Sequence, residues 1–185
     1  MNVFLSAGPG TASQTLVSQL NNQKNFKNKF PINFKKGNGT GHFKIVCSGS
    51  KLKKIKIAEK FNIDLLFYQH LLPTDKNLNL LFQIINPDKT FFIFTKRNIF
   101  DTSLHFKSRY FNNEPVPFGN QFKKNYRESI YNTILFYSYW LKIIDRPYLR
   151  IITVNYKEII NNNKVLEKKL CQFLDLVIKL NKNIK

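Results

Sequence analysis

Residues 2–20 read NVFLSAGPGTASQTLVSQL: an apolar run from Val3 to Leu5, a turn bearing glycine and hydroxyl groups, then Leu16, Val17 and Leu20 at helical spacing. Continuous apolar runs suit buried strands, glycine punctuates turns, and apolar residues three and four apart mark one face of a helix. The stretch is therefore strand, tight loop, helix. A helix N-terminus has unpaired amides and a partial positive charge, so a loop leading into one suits an anion. Gly10, Thr11, Ala12 and Ser13 offer N–H groups and two hydroxyls to a phosphate or sulfate, and glycine permits a close approach of the backbone. The turn carries no Walker lysine and does not match GxxxxGK[ST], so taken alone it also fits a purely structural turn.

The same alternation continues downstream. IDLLFYQH (63–70) and KTFFIFTKRN (89–98) read as buried parallel strands, and YLRIITVNY (148–156) as a further one. GSKLKKIKIAEKF (49–61), NLNLLFQII (77–85), IFDTSLHFKSRYF (99–111), RESIYNTILFYSYWLKII (127–144) and LEKKLCQFLDLVI (166–178) read as helices. KIVC (44–47) is a short strand candidate, whereas the Lys-, Asn- and Gly-rich residues 22–44 and the stretch NNEPVPFGNQ (112–121) read as loop or irregular structure. Strands alternating with helices predict a three-layer α/β fold, a mainly parallel central sheet flanked by helices, in a single domain over residues 1–185. Ligands of such sheets bind at the carboxyl ends of the strands. The residues at those ends are the 6–13 loop, His70, Arg97 and Tyr156.

Each of these has its own chemistry. The Arg97 fork of N–H donors suits a phosphate. Asp101 and His105 are four apart on the following helix, a spacing that favours a protonated imidazole and a second phosphate contact, or else an ordinary surface pair. His70 closes a strand and titrates near neutrality, which suits a general base as well as a capping role. His42 sits among glycines in the 22–44 segment, where it reads as a bystander.

Composition narrows the classes. Hydrophobic residues make up 43% of 185 residues, including 18 Phe, enough for a core. No apolar run reaches the roughly 18–20 residues of a membrane span, and the N-terminus lacks a signal-peptide pattern, so the expectation is a soluble, cytoplasmic protein. Cys47 and Cys171 stand apart in apolar surroundings, which predicts buried thiols and no structural zinc or disulfide framework. A net charge of +19 admits anionic ligands, including nucleic acid. Abundant Lys, Asn, Ile and Phe also fit a coding bias, and most aromatic residues, Phe91, Phe92 and Phe94 among them, fall in strands rather than on a stacking surface.

Four segments in order resemble sulfotransferases dependent on 3′-phosphoadenosine 5′-phosphosulfate. FLSAGPGTASQTL (4–16) resembles their phosphosulfate loop, and FFIFTKRNIFDTSLHFKSRYF (91–111) their strand–Arg–Asn–x–x–Asp–helix segment. VNYKEII (154–160) resembles their Tyr-acidic element, and LCQFLDL (170–176) the helix that often follows. The resemblance implies a P-loop-like domain that moves a sulfuryl group to the hydroxyl or amine of a small-molecule or glycan acceptor, with no metal. Gly8, Pro9, Gly10, Thr11, Ala12 and Ser13 would then bind the cofactor's phosphosulfate, Arg97 and His105 its 3′-phosphate, and Tyr156 would border its adenine. His70, in YQHLLP (68–73), would be the catalytic base.

The chain departs from the family pattern at three places. Gly8 stands where many members carry Lys or Arg, a cation that Lys36 or Lys44 would have to replace. His105 stands in place of a serine, and no Arg-Lys-Gly element precedes the closing NKNIK (181–185). These departures keep two alternatives open: a non-catalytic relative that binds a nucleotide or sulfated anion, and a basic nucleic-acid-binding protein. A nucleotide kinase is disfavoured by the missing Walker lysine. Acceptor identity and oligomeric state are not written in the sequence.

Overall fold

Val3, Phe4 and Leu5 are all fully buried, as a strand covered by helices on both faces requires. They belong to β1 (Asn2–Ala7), the middle strand of a five-stranded sheet. The structure, a computed structural model, describes residues 1–7, 10–23, 32–33, 49–61, 63–69, 71, 73–104, 126–161 and 163–175. Around β1 the sheet is completed by β2 (Ile32–Asn33), β3 (Leu65–Gln69), β4 (Thr90–Lys96) and β5 (Arg150–Asn155) in the order β2-β3-β1-β4-β5. Every pairing is parallel.

The helices are α1 (Ser13–Asn21), α2 (Gly49–Lys60), α3 (Asp75–Phe82), a helical stretch α4 at 99–104, α5 (Tyr126–Ile144), α6 (Tyr156–Asn161) and α7 (Asn163–Leu174). Alternation along the strands divides the core into two layers. Phe4, Phe67, Phe92 and Phe94 point to one face, where they pack with Ile55 of α2, Leu78 and Leu81 of α3, and Phe136 and Trp140 of α5. Val3, Leu5, Leu66, Ile93 and Val154 point to the other, against Leu16 and Leu20 of α1, Ile159 of α6, and Leu166 and Leu170 of α7. Removing a side chain of this size from water stabilises by about 1.5–3 kcal/mol, so both layers contribute heavily to the fold. Phe94 stacks on Trp140 with ring centroids 5.0 Å apart, which fastens α5 to the carboxyl half of β4.

Helix starts follow local chemistry. The Thr74 side chain accepts from the Asn77 amide and opens α3. Asn98 does the same for α4, accepting from the amides of Phe100 and Asp101 at 2.9 and 3.3 Å. At α6 the Glu158 carboxylate reaches back to the Asn155 amide, so β5 passes into a helix without an intervening loop.

Three readings change. Ile32 and Asn33, inside the segment expected to be irregular, form the edge strand, because the exposed backbone of β3 offers them a parallel partner. Tyr156 opens α6 instead of closing β5, since the Glu158 cap starts the helix there. Cys171 is half-buried rather than buried, as it lies on the rim of the α7 face. KIVC (44–47), with Cys47, and residues 112–121 lie outside the described residues. Among the described residues no helix is long and apolar enough to cross a membrane, and no group of His, Cys, Asp or Glu is arranged to hold a metal ion.

Candidate functional site

The turn after β1 runs through Gly10 at φ 65° and Ala12 at φ 57°, both in the left-handed region. That region is free to glycine and costs about 1–2 kcal/mol for a residue with a Cβ. These two residues turn the chain sharply, and α1 begins at Ser13 with Ala12 as its N-cap and no side-chain cap. The first-turn amides therefore have no side-chain oxygen from the cap in front of them. They face a cleft of about 330 Å³ bounded by residues 10–15, Tyr68, Arg97, Tyr156 and Ile160.

Both hydroxyls of the turn have protein partners. Thr11 Oγ1 is buried 2.7 Å from Thr95 Oγ1 on β4, which ties the turn to the neighbouring strand. Ser13 Oγ lies 2.9 Å from the Tyr68 hydroxyl on β3, which ties it to the strand on the other side. The backbone amides are thus the turn's main offering to an anion, with the hydroxyls fixing its shape.

Arg97 follows β4 directly and is held by four contacts. Its amide donates to the Tyr137 hydroxyl at 2.9 Å, Nη1 donates to the Gly10 carbonyl at 3.4 Å, Nε lies 3.6 Å from Asp101 Oδ2, and the guanidinium carbon sits 4.3 Å from the centre of the Tyr156 ring. Stacking on an aromatic face leaves the edges of a guanidinium available to an anion. Nε is buried and makes no hydrogen bond, because the Asp101 contact is too long for one. Arg97 is the one Lys or Arg bounding the cleft among the described residues, and no carboxylate bounds it there. The one formal charge among the described lining residues is therefore positive.

Tyr137 and Glu158 hold this arrangement from behind. Burial raises the Tyr137 pKa above the ordinary value, against the smaller opposite pull of the Thr102 hydroxyl and the Arg97 amide. Tyr137 stays neutral and serves as acceptor for Arg97. Burial alone would raise the Glu158 pKa, but hydrogen bonds from Lys169 Nζ at 2.8 Å and from the Asn155 amide outweigh it and hold the carboxyl below its usual range. Lys169 also donates to the Thr153 carbonyl at 2.7 Å, so α7 fixes the start of α6 on which Tyr156 stands.

Of the residues expected at the site, Gly10, Thr11, Ala12, Ser13, Arg97 and Tyr156 bound a single cleft. Gly8, Pro9, His70 and His105 lie outside the described residues, as do His42, Lys36 and Lys44. Leu71, which follows His70 in sequence, is pinned: its amide donates to Ser6 Oγ at 3.1 Å and its carbonyl accepts from Trp140 Nε1 at 2.8 Å. Asp101, whose expected partner His105 is among those outside the described residues, lies beside Arg97, four residues before it. Tyr68, Thr95 and Tyr137 were not singled out by the sequence. The signal for Tyr68 was its parity with Leu66 on β3, which sends both to the α1 face.

The described chain is thus an α/β protein with an all-parallel sheet, helices on both faces and an anion-suited turn after the central strand, a fold of the sulfotransferase P-loop-like type. No protein-family profile matches the chain, and no curated protein matches it in sequence. Among solved structures it is similar to the mouse sulfotransferase SULT7A1 in complex with PAP, with a TM-score of 0.58 and 14% identity over 98% of this chain. The match covers 60% of the mouse chain, so this chain spans about 60% of that neighbour's length. At such identity the likeness establishes the fold.

Proposed function

We propose that residues 1–185 form one sulfotransferase-like domain that binds 3′-phosphoadenosine 5′-phosphosulfate and passes its sulfuryl group to a hydroxyl or amine of a small-molecule or glycan acceptor. The observation carrying this reading is the meeting of the β1–α1 turn, Arg97 and Tyr156 in one cleft at the carboxyl edge of a parallel sheet. The Arg97 guanidinium, stacked on Tyr156, and the uncapped amides of α1 suit a ligand with anionic groups, and the Tyr156 ring suits a planar base beside them. The PAP carried by the mouse structure, adenosine 3′,5′-bisphosphate, is a ligand of that kind.

When bound, the nucleotide supplies an activated sulfuryl group. The chain's own residues would do the rest. The amides of residues 10–13 would hold the phosphosulfate and stabilise charge left on the phosphate, and Arg97 would grip the 3′-phosphate. His70 would take the proton from the acceptor hydroxyl as its oxygen attacks in line. His105 would add a second grip on the 3′-phosphate. No metal has a role in this scheme.

The test is calorimetric titration with adenosine 3′,5′-bisphosphate of the wild type and of Arg97→Ala at two salt concentrations, followed by an acceptor screen. Binding that the variant loses supports the reading, and a wild type that binds nothing sinks it. Binding without transfer to any acceptor would favour a non-catalytic relative, to which Gly8 in place of a loop cation also points. Burial of Phe4, Phe67, Phe92 and Phe94 in the core weighs against the nucleic-acid reading, because those rings are not available to stack on bases.

A further inference from the structure

The cleft has two sides, set by the position of β1 in the middle of the sheet. Arg97 comes from the end of β4, on one flank of β1, and Tyr68 from β3, on the other. Arg97 brings its charge to Gly10 and Tyr156. On the β3 flank the described residues bring no cation to the cleft, and the polar group there is the Tyr68 hydroxyl, 2.9 Å from Ser13 Oγ. Ser13 is the first residue of α1, so this hydroxyl lies at the mouth of the helix whose amides face the cleft. Tyr68 is half-buried, its ring packed against the core layer of α1, so its position is set before any ligand arrives.

We propose, resting on the function given above, that Tyr68 is a binding residue for the 5′-phosphate end of the nucleotide. Its hydroxyl donates to an anionic oxygen held at the α1 N-terminus while accepting from Ser13, a division of labour open to a hydroxyl that both donates and accepts. The ligand is bracketed by two groups of different kind: a cation on the β4 flank, where the nucleoside lies along Tyr156, and a neutral donor on the β3 flank. A neutral donor there supports the anion through one hydrogen bond, without a second fixed charge.

Two probes separate this role from packing. Adenosine 3′,5′-bisphosphate and adenosine 3′-monophosphate differ only in the 5′-phosphate, and their affinity ratio in wild type measures what that phosphate contributes. A hydrogen bond to a charged group corresponds to about tenfold or more in affinity. Tyr68→Phe should therefore cut the ratio by about tenfold while leaving the monophosphate affinity within about twofold, with a thermal midpoint close to wild type. Tyr68→Met also removes the hydroxyl while keeping an apolar side chain, should cut the ratio alike, and carries the test should Tyr68→Phe not fold. Equal loss of both ligands, or an unchanged ratio, in a folded Tyr68 variant overturns the role of Tyr68 and leaves the nucleotide reading standing. A wild type that binds neither probe overturns both.

Discussion

The guanidinium carbon of Arg97 lies 4.3 Å from the centre of the Tyr156 ring, joining the end of β4 to the start of α6 across the mouth of the cleft. The two residues are far apart in sequence, and each follows directly on one of two adjacent strands, Arg97 after β4 and Tyr156 after β5.

This pairing predicts unequal effects of substitution. Arg97→Ala should weaken adenosine 3′,5′-bisphosphate binding by about tenfold or more, as loss of a charge-assisted contact does. Arg97→Lys should recover little of it, because an ammonium lacks the planar fork and the stacking surface. Tyr156→Leu should fall between wild type and Arg97→Ala. Calorimetry of the three variants ranks them, and full recovery by lysine would show that charge alone matters.

Tyr137 should govern stability at alkaline pH. Its pKa is raised in the folded chain, so it contributes stability that is complete below the unfolded value of 10.0 and lost as pH rises through the folded value. Tyr137→Phe should flatten this alkaline loss and, near neutrality, cost about 1–2 kcal/mol because the Arg97 amide loses its acceptor. Chemical denaturation of both proteins between pH 8 and pH 11, on the order of one unit per step, checks both signs.

Glu158 gives the opposite dependence. Its pKa is lowered on folding, so its contribution is present above the ordinary glutamate value of 4.5 and lost as pH falls through the folded value. Glu158→Gln should destabilise by about 1 kcal/mol at neutral pH, through the Lys169 and Asn155 contacts, and the difference from wild type should vanish in acid. A difference that stays constant down to the acid transition would assign the effect to packing.

The turn offers a test that needs no ligand. Ala12 holds φ 57° and ψ 25°, so Ala12→Gly should raise stability by up to about 1 kcal/mol, whereas Ala12→Val should lower it by about 1–2 kcal/mol. Gly10→Ala, at φ 65°, should cost about 1 kcal/mol and weaken anion binding, since a Cβ is added where the cleft is bounded by backbone. Thermal melts with and without adenosine 3′,5′-bisphosphate separate the two effects.

The elements were largely legible in the sequence because their signals are local. NVFLSA, LLFYQ and TFFIFTK are apolar stretches that must be buried, and each is followed within a few residues by chain of helical periodicity. A strand end followed by a helix start can be read from neighbours along the chain, so the turn at Gly10–Ser13 and Arg97 were visible, and the parallel sheet followed from the alternation. Tyr156 was placed in the right neighbourhood but on the wrong element, since its cap depends on Glu158 being held by Lys169, eleven residues farther on. Spacing suggested a pair of Asp101 with His105, four residues after it, and did not single out the Arg97–Asp101 contact, which spans the same interval in the other direction.

What only the tertiary structure decided is who stands beside whom. The order β2-β3-β1-β4-β5 is not the chain order, and it brings Tyr68 to Ser13 and Tyr137 to Arg97 across separations of 55 and 40 residues. Side-chain parity along a strand is a property of the strand, whereas the neighbour it meets is a property of the packed sheet. The sequence by itself determined four of the five strands, the turn and the arginine; packing of two helical layers on a reordered sheet made them walls of one cleft.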